Sequence, residues 1–253
     1  MKTHHKIIFG DAEDMRELED GSVQLVVTSP PYFNAPFDYP DLFESYDVYL
    51  EKMRRIAREI RRVLQEGRIA CIVCDDTLID GKKYPVVADL TRIYVEEGFN
   101  YRDKIIWMKP EGYIRISRRS GVVPQHPYHK NKWYLTIWEI TNVLPIKNRL
   151  EEGIAAFPEE IPYRLIKLFS YMGETVLDPF MGSGTTNRVS AKLGRNSVGY
   201  EIDLELLEVV KAKMGLSNDL LFGADYEVEI IVREDALHLR KFLQERIAKQ
   251  TSV

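Results

Sequence analysis

The apolar residues of the chain fall into short runs set between longer stretches of helical periodicity. K-I-I-F-G (6–10) and S-V-Q-L-V-V-T (22–28) have the length and β-branched content of buried strands. Residues 46–66 place Met53, Ile56, Ala57, Ile60, Val63 and Leu64 on one stripe, the spacing of a helix laid on a core, with Gly67 as the expected stop. R-I-A-C-I-V-C follows as a strand, 84–97 as a helix closed by Gly98, and Y-R-D-K-I-I-W (101–107) and Y-L-T-I-W-E-I (134–140) as strands. Pro158 to Met172 predicts a helix with Glu159 and Glu160 in its first turn, where the helix dipole favours acids. A strand at 175–178, a glycine turn, a helix at 185–193, a strand at 197–201 and a helix at 204–214 come next. The tail predicts a strand near 226–232 and a helix near 236–249. Strands alternating with helices predict an α/β fold, a mostly parallel sheet covered on both faces, as one domain over residues 1–253. The one long stretch of weak pattern is 109–133, and unpatterned loops of that length are usually functional or mobile.

Composition narrows this picture. With 253 residues and 45% hydrophobic content the chain can bury one sizeable core. Two cysteines, Cys71 and Cys74, argue against a disulfide framework and fit a cytoplasmic protein. No run approaches a membrane span and no signal peptide is visible, so no membrane partner is expected. Abundant Glu, Lys, Arg, Ile and Tyr lean towards a thermophilic source. The net charge of −4 hides a local field of the opposite sign. Lys109, Arg115, Arg118, Arg119, Lys130 and Lys132, with His126 and His129, are interleaved with Tyr113, Tyr128, Trp133 and Tyr134 against a single acid, Glu111. Basic and aromatic residues mixed in one loop suit phosphate contact and base stacking. Arg54, Arg55, Arg58, Arg61 and Arg62 are instead expected on the solvated side of the helix at 46–66.

Two motifs carry chemistry. T-S-P-P-Y (28–32) ends a strand on two prolines, which donate no hydrogen bond and hold the backbone extended, with an aromatic ring at the tip. D-P-F-M-G-S-G-T-T (178–186) joins a buried strand to a helix through two glycines, which permit a tight turn and close approach of a ligand. The third glycine of the dinucleotide fingerprint is missing, and no G-K-[ST] marks a nucleoside-triphosphate loop. Glu201 ends the next strand, where an acid can hold ribose hydroxyls. Turn, helix, strand and acid together point to an adenosine-containing cofactor.

S-P-P-Y combined with D-P-F-M-G-S-G-T-T resembles the S-adenosylmethionine-dependent amino-methyltransferases of nucleic acids, which methylate the exocyclic nitrogen of cytosine or adenine. The S-P-P-Y strand precedes the glycine turn, similar to the circularly permuted β arrangement of the DNA cytosine-N4/adenine-N6 group. Protein-glutamine methyltransferases also carry P-P-Y, but with Asn before the prolines and the glycine turn first. The resemblance implies a Rossmann-like methyltransferase domain, a seven-stranded sheet with one antiparallel strand, and a small recognition insertion at 109–156. It spans roughly residues 6–210 and leaves 215–253 as an extension without a role.

The resemblance also implies a cofactor site for S-adenosyl-L-methionine, with S-adenosyl-L-homocysteine as product. G-D-A-E-D-M (10–15) places Asp11 and Ala12 at the adenine, and A-F-P-E-E-I-P (156–162) places Phe157, Pro158 and Glu160 over the methionine moiety. The glycine turn supplies Asp178, Pro179, Phe180, Gly182, Ser183, Gly184, Thr185 and Thr186, and V-G-Y-E-I-D (198–203) supplies Glu201 and Ile202 at the ribose. E-D-A-L-H-L (234–239) follows a strand as well and makes Asp235 the alternative to Asp11.

The implied catalytic set is Ser29, Pro30, Pro31 and Tyr32: a hydroxyl and a rigid carbonyl to accept the amine's N–H groups, and a ring to stack on the base. In the family, Ser before the prolines goes with cytosine N4, and Asp or Asn with adenine N6. The nucleic-acid partner is DNA by family default. The short insertion also fits a structured RNA, such as ribosomal RNA, read by shape. The chain acts as a monomer or a homodimer. No covalent intermediate is required, and no metal is expected. Cys71 and Cys74 fall on opposite faces of a strand, and the His126–His129 pair lacks a third ligand.

Overall fold

The computed structural model describes residues 2–34, 42–108, 136–141, 157–216 and 226–239. Its strands in chain order are β1 (Thr3–Phe9), β2 (Val23–Thr28), β3 (Leu64–Ile72), β4 (Thr77–Ile79), β5 (Lys82–Tyr84), β6 (Ile106–Met108), β7 (Ile137–Glu139), β8 (Thr175–Asp178), β9 (Asn196–Glu201) and β10 (Tyr226–Val232). The helices are α1 (Tyr46–Val63), α2 (Val86–Glu96), α3 (Glu160–Phe169), α4 (Thr185–Lys192) and α5 (Leu207–Lys213), the last preceded by a 3₁₀ turn at Leu204–Leu206.

Six strands form the central sheet in the order β10-β1-β9-β8-β2-β3, every neighbouring pair parallel. Parallel strands need covering on both faces. One face is packed by α1 and α2 around Ile8, Val26, Tyr49, Ile56, Ile60 and Ile93. On the other, Ile161, Leu165 and Ile166 of α3 and Val189 of α4 meet Leu25, Val27 and Val176.

The sheet differs from the expected seven strands with one antiparallel. Among the described residues it has six, and β6 and β7 pair parallel in a small sheet of their own. These strands are only three residues long and bury Trp138 and half-bury Trp107 in the second core, leaving Ile106, Met108 and Ile137 exposed. Among the described residues, antiparallel pairing is confined to the β4–β5 hairpin, whose turn residues Asp80 and Gly81 both have positive φ, the geometry a two-residue hairpin requires.

α1 is capped by Ser45, whose Oγ accepts from the Val48 N–H at 3.2 Å. It ends at Val63 rather than running to Gly67. Leu64 is already extended and pairs with Val23, because its side chain is buried by joining the sheet. Gly67 lies inside β3, where the register against β2 shifts.

The arginines of α1 are braced rather than merely solvated. Arg54 reaches Glu96 at the end of α2 and Glu97 just past it at 2.6 and 2.9 Å, Arg58 reaches Glu97 at 2.7 Å, and Arg55 reaches Glu13 at 2.5 Å. Arg62 binds Glu59 and Asp20 at 2.7 and 2.8 Å. These pairs are partly or fully exposed and screened by solvent, so they brace the helix more than they stabilise it.

Cys71 and Cys74 pack on opposite faces, as their spacing requires. Burial pushes the Cys71 thiol up to about 12 and the Cys74 thiol up to about 11, so neither is a nucleophile at neutral pH. In the tail, β10 forms where its pattern predicts. Residues 236–238, predicted as the start of a helix, instead include Leu237, which bridges to Asp203; residues 240–253 lie outside the described residues. Among the described residues, no helix is long and apolar enough to cross a membrane.

Candidate functional site

The motifs converge because their strands are neighbours that all point the same way. β2, β8, β9 and β1 lie side by side, so T-S-P-P-Y, the glycine turn, Glu201 and Gly10–Ala12 all emerge at one carboxyl edge of the sheet. That edge is where open α/β sheets bind ligands.

The last rung between β2 and β3 is Val73 N–H to the Thr28 carbonyl at 2.8 Å. The prolines then end the strand. Thr28 Oγ1 donates to Asp178 Oδ1 at 2.6 Å, tying the start of S-P-P-Y to the start of the glycine turn. Ser29, Pro31 and Tyr32 are half-buried, and Pro30 is buried. Among the described residues, neither Ser29 Oγ nor the Pro30 carbonyl has a hydrogen-bond partner. The exit is anchored just beyond. Phe33 packs among Tyr46, Tyr49 and Tyr84 with ring centroids 4.9–5.8 Å apart. The Asn34 amide donates to the Phe43 carbonyl at 2.7 Å and accepts from its N–H at 2.8 Å.

The glycine turn adopts the backbone its sequence demands, with φ of +54° at Gly182 and +84° at Gly184, the residue that starts α4. A side chain built on Gly182 would meet nothing within 4 Å, so open space lies against the turn. Asp178, 1% exposed, also accepts from the Phe180 N–H at 3.2 Å. Glu201 accepts from the N–H groups of Gly182 and Asp203 at 2.8 and 2.9 Å. Burial pushes Glu201 up to about 7 and Asp178 up to about 6, against the downward pull of those hydrogen bonds.

The remaining predicted cofactor residues divide. Asp11 stands at the edge after β1, its carboxylate held by Lys52 at 2.6 Å, while Ala12 is buried in the first core. Pro179 is buried, and Phe180 is half-buried against the first core. Ser183 and Thr185 turn their hydroxyls to Lys213 Nζ, at 2.7 and 3.0 Å, and Thr186 donates to the Val27 carbonyl at 3.3 Å. Ile202 is half-buried, and its carbonyl accepts from Leu237 N–H at 2.8 Å.

Phe157 packs in the second core and Pro158 is buried. Glu159 pairs with Lys192 and Arg188 of α4 at 2.7 and 3.4 Å, and Glu160 with Arg164 at 3.0 Å. The 157–160 segment is thus joined to the glycine turn through α4, with no direct hydrogen bond to it among the described residues. The predicted substrate contacts Lys109, Arg115, Arg118, Arg119, His126, His129, Lys130 and Lys132 lie outside the described residues, as does most of 109–156.

Sequence reasoning missed Thr28, Lys52, Lys213 and Arg233. Thr28 stood in the quoted motif but read as a strand residue, and Lys52, Lys213 and Arg233 stood in none of the quoted motifs. Nothing in their spacing marks Thr28, Lys52 or Lys213, because their partners are distant in the chain, as is the Asp14 carbonyl that Arg233 also reaches.

A family model described as DNA methylase matches residues 23–128 and 114–212. The type II methyltransferase M.MjaI of Methanocaldococcus jannaschii is 32% identical over 91% of this chain and 97% of its own. The DNA adenine methyltransferase YhdJ of Escherichia coli is 27% identical over 83% of this chain and 81% of its own. Among solved structures, TTHA0409 of Thermus thermophilus is 25% identical and superposes with a TM-score of 0.68 over 90% of this chain and 100% of its own. That protein has also been solved with S-adenosyl-L-methionine, a form that superposes with a TM-score of 0.65.

Proposed function

Because the chain belongs to the DNA methylase family of N6/N4 amino-methyltransferases, we propose that it methylates the exocyclic N4 amine of cytosine in DNA. Its cofactor is S-adenosyl-L-methionine, which when bound supplies an electrophilic methyl group on a sulfonium. The site fits that group: open space lies against Gly182, and Glu201 has an acid edge with lone pairs beyond the two its backbone donors use. Glu201 would hold the ribose hydroxyls, the Gly182–Gly184 turn the methionine side, and Asp11 the adenine amine. Phe157 and Pro158, just before α3, and Glu160 at its start would close the site.

The observation that carries the reading is the Thr28–Asp178 hydrogen bond, which joins the S-P-P-Y exit to the glycine turn. An exocyclic amine is a poor nucleophile, because its lone pair is delocalised into the ring. Ser29 Oγ and the Pro30 carbonyl each accept one of its N–H groups, which draws the nitrogen towards a tetrahedral geometry, takes its lone pair out of conjugation and aims it at the methyl. Pro30 and Pro31 keep that carbonyl still, and Tyr32 stacks on the base once it has left the helix. Orientation of this kind can supply about 7–11 kcal/mol of the barrier. Residues 109–156, with their basic and aromatic side chains, serve as the recognition region.

Ser29 favours cytosine over adenine. The family covers both amines, and its DNA methylases favour DNA over the structured RNA that a short recognition region would also suit. Nucleoside mass spectrometry of DNA and RNA from a host with and without the gene tests all three points. N4-methylcytosine in DNA is expected. N6-methyladenine would overturn the base, methylated cytidine in RNA would overturn the polymer, and no new nucleoside would overturn the activity.

Titration provides a second test. Glu201 and Asp178 have folded-state pKa values raised above their unfolded ones, so the native protein holds these protons more tightly. Without ligand, the two groups add stability as pH falls from about 7 towards 5 and withdraw it as pH rises back through that window. Ribose hydroxyls donating to Glu201 favour its charged form, so cofactor affinity runs the other way. Calorimetric affinity for S-adenosyl-L-homocysteine is expected to fall about tenfold from pH 8 to pH 6 and to lose this slope in Glu201→Gln. A flat wild-type profile would count against Glu201 as the ribose partner.

A further inference from the structure

The family match ends at residue 212, yet β10 pairs with β1 along its whole length, from Thr3 opposite Tyr226 to Phe9 opposite Val232. The pairing continues past the strand, with Arg233 N–H donating to the Phe9 carbonyl at 2.8 Å. The Arg233 side chain is only 10% exposed. Its guanidinium binds Asp235 through two nitrogens, at 2.7 and 3.0 Å, and donates to the Asp14 carbonyl at 2.5 Å. Asp235 Oδ2 in turn accepts from the backbone N–H of Asp11 at 3.2 Å. The approach is close enough to dictate the residue at position 10. A Cβ on Gly10 would lie 2.7 Å from Arg233 Cδ and 2.9 Å from Asp235 Oδ1.

The same segment then crosses to the next strand end. Leu237 N–H donates to the Ile202 carbonyl and Leu204 N–H to the Leu237 carbonyl, both at 2.8 Å, while Leu239 N–H donates to Asp203 Oδ1 at 3.3 Å. Asp203 N–H is itself one of the two donors that hold Glu201. One stretch of tail thus fastens both the Asp11 loop and the Glu201–Asp203 turn.

We propose that residues 233–239 are a positioning element of the cofactor site, with Arg233 and Asp235 setting the Asp11 loop against Glu201 so that one adenosine spans both acids. The proposal rests on the assignment of Asp11 and Glu201 to the cofactor. It also gives two similar segments different parts: Asp235 follows its strand as Asp11 follows β1, but its carboxylate binds Arg233 and the Asp11 backbone N–H, which makes it the support of the Asp11 loop.

The test measures binding of S-adenosyl-L-homocysteine by calorimetry and methyl transfer from tritiated S-adenosyl-L-methionine to unmethylated bacteriophage DNA, using the full chain. Thermal unfolding without ligand reports folding. Asp235→Ala is expected to raise Kd and the cofactor KM about tenfold while kcat at saturating cofactor stays within about twofold. Asp235→Asn keeps an acceptor oxygen and is expected to stay within about threefold of wild type in KM. Wild-type cofactor affinity in folded Asp235→Ala, or a fall in kcat at unchanged KM, overturns the proposal, as does Asp235→Asn failing as badly as Asp235→Ala. Gly10→Ala, which drives a methyl into Arg233, disturbs the same contact if Asp235→Ala does not fold. It should raise the cofactor KM about tenfold, and an unchanged KM there overturns the proposal as well. A wild-type protein that binds no S-adenosyl-L-homocysteine would instead remove the cofactor reading itself, an outcome distinct from variants that bind as well as wild type.

Discussion

Asp178→Ala is expected to weaken S-adenosyl-L-methionine binding about a hundredfold. The carboxylate is buried and takes hydrogen bonds from Thr28 Oγ1 and the Phe180 N–H, so removing it strands two donors at the root of the glycine turn. Each stranded donor costs about 1–3 kcal/mol, the free protein relieves it by loosening the turn, and binding must restore the turn; about 2.7 kcal/mol of that cost is a hundredfold in affinity. Asp178→Asn keeps an oxygen in place and should lose no more than about tenfold. Calorimetry on both variants, with thermal unfolding to confirm that they fold, decides the matter. Normal affinity in Asp178→Ala would remove Asp178 from the cofactor site. Because Thr28 lies one residue before Ser29, Asp178→Ala should also slow methyl transfer at saturating cofactor. A double-mutant cycle with Thr28→Val isolates that coupling.

Tyr32→Ala is expected to do the opposite: cofactor affinity within about twofold of wild type, and kcat/KM for DNA reduced about a hundredfold, since stacking on a base contributes about 1–3 kcal/mol. Tyr32→Phe retains the ring and should retain most of the activity. The exit itself is anchored by Phe33 in its aromatic cluster and by the Asn34 clamp on Phe43, so loss of the Tyr32 ring leaves that anchorage in place. A variant that loses cofactor and DNA kinetics together would show that Tyr32 supports the site instead of engaging the base.

The two predictions separate cleanly because the motifs are separable in the chain, and the same property made them legible. Strand T-V-L-D was readable at its exact bounds, 175–178, and β10 at 226–232, since both are apolar runs bounded by turns. The glycines at 182 and 184 announced a turn that no other residue enters without strain, and both have positive φ. The end of α1 was misread by three residues. Leu64 fits a helical stripe and a strand equally well, and only its pairing with Val23 selects the strand. The tail helix, expected from near 236, starts later: Leu237 finds backbone partners on Ile202 and Leu204, and Leu239 is the first helical residue. The arginines of α1 were placed on the correct side of the helix, but their pairing with Glu96, Glu97 and Glu13 could not be read from periodicity.

By itself, then, the sequence determined the alternation of strands and helices, the proline-stiffened exit after Thr28, the glycine turn after Asp178 and the acid that ends β9. These signals are local, carried by backbone restriction and by residues within a few positions of one another. Only the tertiary structure decided that Asp178 holds Thr28, that Lys52 and Asp235 both attend Asp11, and that one tail segment braces both Asp11 and Glu201. Those contacts join residues far apart in the chain. They follow from the order β10-β1-β9-β8-β2-β3 across the sheet, which sets which strand ends are neighbours and which no local pattern encodes.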